Sequence, residues 1–228
     1  MLPEPPRLLL KVCGLREPAN AAAVARLRPD FIGFVFHRAS VRYAPSALSG
    51  AAARALPGGP ARVGVFVDET PATMQATATA YELDFVQLHG HETPAICAEM
   101  QAAGLRVIKA FSVDESLDIK VLESFVPHVN YFLFDTKGQA PGGNGVAFDW
   151  QILRAYDLPV PYLLAGGIGP EHAAELARLR LPGLAGVDVN SRFEVRPGCK
   201  DVAALGAFQQ ALDFTSPASV APSNTLHL

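Results

Sequence analysis

RVGVFVDETPATMQATATAYELDFVQLHG (62–90) holds the repeating pattern of this chain in a single unit. Its two ends, RVGVFV (62–67) and DFVQLHG (84–90), are short runs of β-branched and aromatic residues. Near-continuous apolar runs of this length suit parallel strands buried on both faces. Between them an Ala-rich stretch opens with Asp68-Glu69-Thr70-Pro71, which predicts a helix start with Thr at the cap and Pro just inside. The same kind of run occurs upstream, as LLLKVC (8–13) and DFIGFVF (30–36). It continues downstream as RVIKAF (106–111), NYFLFD (130–135), PYLLAG (161–166) and LAGVDV (184–189). Eight runs recur at intervals of roughly 20 to 30 residues, the spacing of repeated strand and helix units. Pro18, Pro45, Pro94 and Pro170 stand near the starts of further intervening segments, and Glu92-Thr93-Pro94 repeats the Thr–Pro start. The reading is an α/β protein with a single (β/α)8 TIM barrel over residues 8–212. A doubly wound open sheet has the same periodicity and is the alternative. Residues 1–7 read as a flexible N-terminus. The Ser-, Pro- and Ala-rich end SPASVAPSNTLHL (216–228) makes 213–228 a disordered tail.

Composition narrows the function classes. Half of the 228 residues are hydrophobic and 18% are charged, which supplies a sizeable core and argues against a disordered chain. A net charge of −3 provides no field for nucleic acid or an anionic membrane, while leaving room for a local phosphate site. Cys13, Cys97 and Cys199 lie far apart with no CxxC pair, as expected in a reducing cytosol. MLPEPPRLLLKV has too short an apolar run for a signal peptide. No stretch reaches the roughly 20 apolar residues that span a bilayer. The expectation is a cytoplasmic protein, monomer or homodimer, with no nucleic-acid or membrane partner.

Barrel active sites gather where the strands end, so the residues there carry the chemistry. The first run ends Lys11-Val12-Cys13-Gly14, the fourth Gln87-Leu88-His89-Gly90, and the sixth Asp135-Thr136; Asp188-Val189-Asn190-Ser191 closes the eighth. Taken alone, Cys13 has the bland reading of a buried small hydrophobe, and Asp135 that of a turn or cap. His89-Gly90-His91-Glu92 lacks the HExxH spacing, and no second cluster completes a zinc site, so it reads as a strand end entering a loop. No metal is expected. Pro141-Gly142-Gly143-Asn144-Gly145 and Ala165-Gly166-Gly167-Ile168-Gly169 follow the sixth and seventh runs. Glycines there let backbone N–H groups approach an anion, and tight turns are the plainer alternative; two clusters in adjacent loops favour phosphate. Nucleotide motifs of the GxxxxGK[ST] and GxGxxG types and the GxSxG elbow are absent.

Together these motifs resemble the phosphoribosylanthranilate isomerase family. Lys11-Val12-Cys13-Gly14 is similar to its opening K-[IV]-C-G, and Gly33-Phe34-Val35-Phe36 with Ser40-Val41-Arg42-Tyr43 to its GFxF…S-x-R-Y signature. Val63-Gly64-Val65-Phe66-Val67 and Gln87-Leu88-His89-Gly90 match its third and fourth strands. Phe134-Asp135-Thr136, Gly142-Gly143-Asn144-Gly145 and Phe148-Asp149-Trp150 resemble LDT…GGxG…FDW. Ala165-Gly166-Gly167-Ile168 and Pro197-Gly198-Cys199-Lys200-Asp201 complete an ordered series over about residues 8–212.

The resemblance implies a cofactor-free Amadori rearrangement of a phosphosugar, N-(5-phosphoribosyl)anthranilate, in tryptophan biosynthesis. It assigns Cys13 as general base, Asp135 as general acid and Arg42 as partner of the anthranilate carboxylate. Asp188, Gln87 and His89 fall in the substrate site, and Gly143, Gly145, Gly166, Gly167, Asn190, Ser191 and Arg192 at the phosphate. A thiol near pKa 8.5 needs only a modest downward shift to act as base near neutrality, whereas an aspartic acid needs its pKa raised. The chain departs from the family at Asn190-Ser191-Arg192-Phe193-Glu194, where S-S-G-V-E is usual, and at Val41, where Pro is common. Arg192 thus replaces a glycine beside the phosphate loop. Two rivals are a sister aminoaldose isomerase, expected to pair two aspartates, and a non-catalytic sensor of a phosphorylated ligand. Cys13 counts against the first, and the set of Cys13, Asp135 and Arg42 against the second.

Overall fold

The computed structural model describes residues 7–113, 118–136 and 149–213. The expected N-terminal arm up to residue 6, the tail from 214 and the loop holding Gly143 and Gly145 lie outside the described residues. Each apolar run forms a strand: β1 (Leu9–Val12), β2 (Phe31–Val35), β3 (Ala61–Phe66), β4 (Phe85–Leu88), β5 (Arg106–Val113), β6 (Tyr131–Thr136), β7 (Tyr162–Leu164) and β8 (Leu184–Val189). All pair in parallel in chain order, and β1 pairs with β8, so the sheet is a closed barrel and not an open one.

Strand side chains alternate faces, and this parity sorts the whole interior. Phe31, Val63, Phe85, Ile108, Leu133 and Leu163 fill the barrel. Their neighbours of opposite parity, among them Leu10, Ile32, Val86, Phe132 and Leu164, face outward under the helices. Those helices are α1 (Pro18–Arg26), α2 (Gly50–Arg54), α3 (Pro71–Tyr81), α4 (Pro94–Ala102), α5 (Ile119–Glu123), α6 (Ala173–Arg178) and α7 (Val202–Asp213).

Proline opens α1, α3 and α4 as expected, since the first helical N–H has no partner to lose. Thr70 caps α3 through Thr73 N–H, and Thr93 stands at the N-cap of α4 as expected, without a side-chain capping bond. The helical layer is also less regular than eight equal repeats. Pro45 lies within a 3-10 turn (Ala44–Ser46) that precedes a helix of only five residues, and a 3-10 helix (Trp150–Ala155) precedes β7. A further hairpin, β9 (Glu194–Arg196) with β10 (Cys199–Lys200), stands on the rim after β8. Among the described residues no helix is long and apolar enough to cross a membrane.

Candidate active site

Inward parity carries β1 from Leu9 through Lys11 to Cys13, and Cys13 packs with Val35 and Val65 above the barrel core. Its neighbour on β2 must be small: a Cβ on Gly33 would lie 2.8 Å from the Cys13 Sγ and 3.1 Å from its Cα. Gly33→Ala is therefore expected to displace the thiol while the barrel persists. A displacement of about 1 Å costs on the order of 10²-fold in rate, whereas overpacking costs about 1–3 kcal/mol. Turnover and thermal melting of the purified variant check this, and unchanged turnover would show that the thiol position is not critical.

Beneath Cys13 lies a buried ion pair that sequence reading did not assign. The Lys11 Nζ sits 2.9 Å from Asp188 Oδ1, with side-chain exposures of 0% and 9%. A lysine in an apolar strand, on the same parity as Cys13, was the available signal. Burial opposes the Lys11 charge, yet Asp188 and Cys13 hold it protonated and raise its pKa. Burial lifts the Asp188 pKa, partly offset by Lys11. Asp188, expected at the substrate, is thus tied to Lys11 at the wall of the barrel. The Cys13 pKa is not moved in the downward direction that a base near neutrality needs. Burial pushes the thiol up, and the nearby Lys11 and Lys200 charges only partly counter burial and Asp188. Cys97 and Cys199 are also buried, and burial raises Cys97 to about 11.

On the other side of the mouth, β4 presents Gln87 and His89, and β6 presents Asp135. The Gln87 Nε2 lies 2.8 Å from His89 Nδ1, and the His89 Nε2 3.5 Å from Asp135 Oδ2. His89 and Asp135 are each about a third exposed, whereas Gln87, expected to bind substrate, is only 1% exposed. The rest of the His89–Glu92 cluster points elsewhere. Glu92 is buried against Lys109 at 3.0 Å and accepts from the Asp68 and Gly90 N–H groups, while His91 meets Asp68 on the surface. Among the described residues no three His, Cys, Asp or Glu side chains gather as a metal site requires.

Arg42 reaches the mouth from the loop after β2, and half of its fork is occupied. Its Nε and Nη2 bond Glu194 at 2.9 and 2.7 Å, which leaves the Nη1 end for an anion. Glu194 also takes Lys200 Nζ at 2.8 Å and the Gly198 N–H at 3.0 Å. These contacts hold Glu194 below the usual carboxylate range against the opposing effect of burial. Lys200 continues to the Asn190 Oδ1 at 2.6 Å, so Asn190 faces the buried lysine. Its pKa is lowered because burial outweighs Glu194. Glu194 and Lys200 lie in recognisable motifs, but nothing local in the sequence shows that the hairpin folds them under Arg42.

Of the glycine loops, Gly166 and Gly167 are both in the left-handed region, with φ of +89° and +66°. A side chain at Gly166 would collide with Thr136. Across from them Ser191–Phe193 form a 3-10 turn, and Arg192 Nη2 spans to Glu171 at 2.6 Å.

Comparisons with known proteins place the chain in a family. A family profile described as N-(5'phosphoribosyl)anthranilate (PRA) isomerase matches residues 10–211. An N-(5'-phosphoribosyl)anthranilate isomerase of Parabacteroides distasonis is 41% identical, over 96% of this chain and all of its own length. That of Paracoccus denitrificans is 40% identical over 87% of this chain and 94% of its own. The crystal structure of phosphoribosyl anthranilate isomerase from Thermus thermophilus superposes with a TM-score of 0.76 at 28% identity, covering 90% of this chain and 98% of that one. A second solved isomerase, in complex with reduced 1-(o-carboxyphenylamino)-1-deoxyribulose 5-phosphate, gives 0.72 at 30% identity over 90% and 98% of the two chains. On the match over residues 10–211 and these full-length identities, the chain belongs to the N-(5'-phosphoribosyl)anthranilate isomerase family.

Proposed function

We propose that this chain converts N-(5'-phosphoribosyl)anthranilate to 1-(2-carboxyphenylamino)-1-deoxyribulose 5-phosphate in tryptophan biosynthesis, with Asp135 as acid and Cys13 as base. The observation that carries the reading is that β1 and β6 bring a thiol and a carboxyl to one mouth. Both lie in the electrostatic reach of Asp188. Asp135 gives its proton to the ribose ring oxygen as the C1′–O bond breaks, leaving an imine. The Cys13 thiolate then takes the C2′ proton, and the enolamine that results tautomerises to the ketone. One acid and one base suffice, and no cofactor enters the scheme.

The remaining residues hold the two ends of the substrate. Arg42 offers Nη1, with Nη2 beside it, to the anthranilate carboxylate, while Glu194 fixes the plane of the guanidinium. Gly166 and Gly167 leave backbone bare for the phosphate, and Asn190, Ser191 and Arg192 border it from the loop after β8. The Arg192–Glu171 pair is half-exposed, the kind of ion pair that contributes little on its own. Gly143 and Gly145 keep their assignment to the same anion. The reading carries with it a cytoplasmic protein, monomer or homodimer.

Arg42→Ala is expected to raise KM about 10- to 100-fold, the worth of one charged hydrogen bond, with kcat little changed. Glu194 keeps Lys200 and Gly198 as partners, so the fold should hold. An unchanged KM would remove Arg42 from carboxylate binding. The reaction itself is tested by fluorescence, with purified protein and freshly generated phosphoribosylanthranilate in the absence of metal and nucleotide. Turnover is expected; a folded protein that binds the reduced product analogue without turnover would be a sensor instead.

A further inference from the structure

Gln87 and His89 stand two residues apart on the inner face of β4, and only His89 reaches the open mouth. Gln87 is buried, its Nε2 lies 2.8 Å from the His89 Nδ1, and its Oε1 has no hydrogen-bond partner among the described residues. An imidazole nitrogen that faces an amide N–H at this distance must be the bare acceptor. The ring proton of neutral His89 then sits on Nε2, which faces Asp135 Oδ2 at 3.5 Å. Turning the amide over would leave both of its N–H groups without a partner among the described residues, where the present orientation leaves one N–H and the oxygen, and a buried orphan N–H is the rarer of the two.

We propose that Gln87 is a positioning residue that holds His89 as the neutral Nε2–H tautomer, whose N–H in turn orients the Asp135 carboxyl. His89 addresses Oδ2, so the proton given to the ribose ring oxygen is carried on Oδ1. After transfer the same N–H faces the carboxylate that remains. The distance is longer than a formed hydrogen bond, and catalytic contacts of this kind commonly tighten in the substrate complex. The proposal rests on the reading of Asp135 as the acid. It assigns Gln87 a task through His89 and not through the substrate.

The test reads the tautomer directly, by long-range ¹H–¹⁵N NMR of histidine-labelled, substrate-free protein. Wild type is expected to show His89 neutral with its proton on Nε2. Gln87→Met, of nearly the same shape and without the amide, should show a mixture of both tautomers. Its kcat should fall about 10- to 100-fold, as when a partner orienting an imidazole is removed, with KM within about twofold of wild type. In a His89→Gln background, which keeps an N–H where Nε2 was, Gln87→Met should cost nothing further, because no tautomer is left to set. A proton on Nδ1 in wild type would overturn the proposal, even if Gln87→Met failed to fold. An unchanged tautomer and kcat in a folded Gln87→Met would overturn it equally. Since the tautomer is read without substrate, failure of wild type to turn over phosphoribosylanthranilate would sink the functional reading and leave this result to stand or fall alone.

Discussion

Cys13→Ala is expected to lower kcat by about 10²- to 10⁴-fold, the contribution of one positioned general base, in a protein that still folds. The thiol is small and packs only at the top of the barrel, so its loss removes few contacts, on the order of 1 kcal/mol. The pH profile carries a second expectation. The thiolate is the active form, and burial raises the thiol above its ordinary value. In wild type the kcat/KM profile should therefore carry a limb at the raised Cys13 pKa, since turnover needs thiolate and protonated Asp135 together and this ratio reports the free protein. A profile with no limb in the alkaline range would place the base elsewhere. Near-normal turnover of folded Cys13→Ala would do the same.

Asp135→Asn should be as damaging to turnover, about 10²- to 10⁴-fold, and less costly to the fold. The amide keeps the shape of the carboxyl and cannot give a proton to the ring oxygen. Asp135 is a third exposed, and its ion-pair neighbour among the described residues is His89, so no buried cation is left uncompensated. Stability should change within about 0.5 kcal/mol, as at an ordinary surface position. Binding of the reduced product analogue separates the two roles. Asp135→Asn should bind it with near wild-type affinity, because Arg42 and the glycine loops are untouched. A variant that keeps its kcat would remove Asp135 as the acid. Loss of analogue binding with kcat retained at saturation would make it a binding residue.

Much of this was legible in the order of residues. Apolar runs at regular intervals and prolines at the helix starts specify strand and helix locally, through buried faces and missing N–H groups. The seventh and eighth runs needed no tertiary information to be recognised as strands. Position within a run also places Cys13, His89, Asp135 and Asp188 on one parity, because successive strand side chains alternate faces.

Only the folded chain decided the rest. Closure rests on β1 meeting β8, and it joins Lys11 to Asp188 across 177 residues, a pairing that no local pattern encodes. The hairpin after β8 likewise brings Glu194 and Lys200 beneath Arg42, which is why half of the Arg42 fork is occupied. The raised Cys13 pKa belongs here as well. Sequence supplies a thiol and its neighbours, but its charge state depends on how much water the barrel mouth excludes and on which ions lie within reach. Those quantities are set by three-dimensional distance and burial, and separation along the chain carries no measure of either.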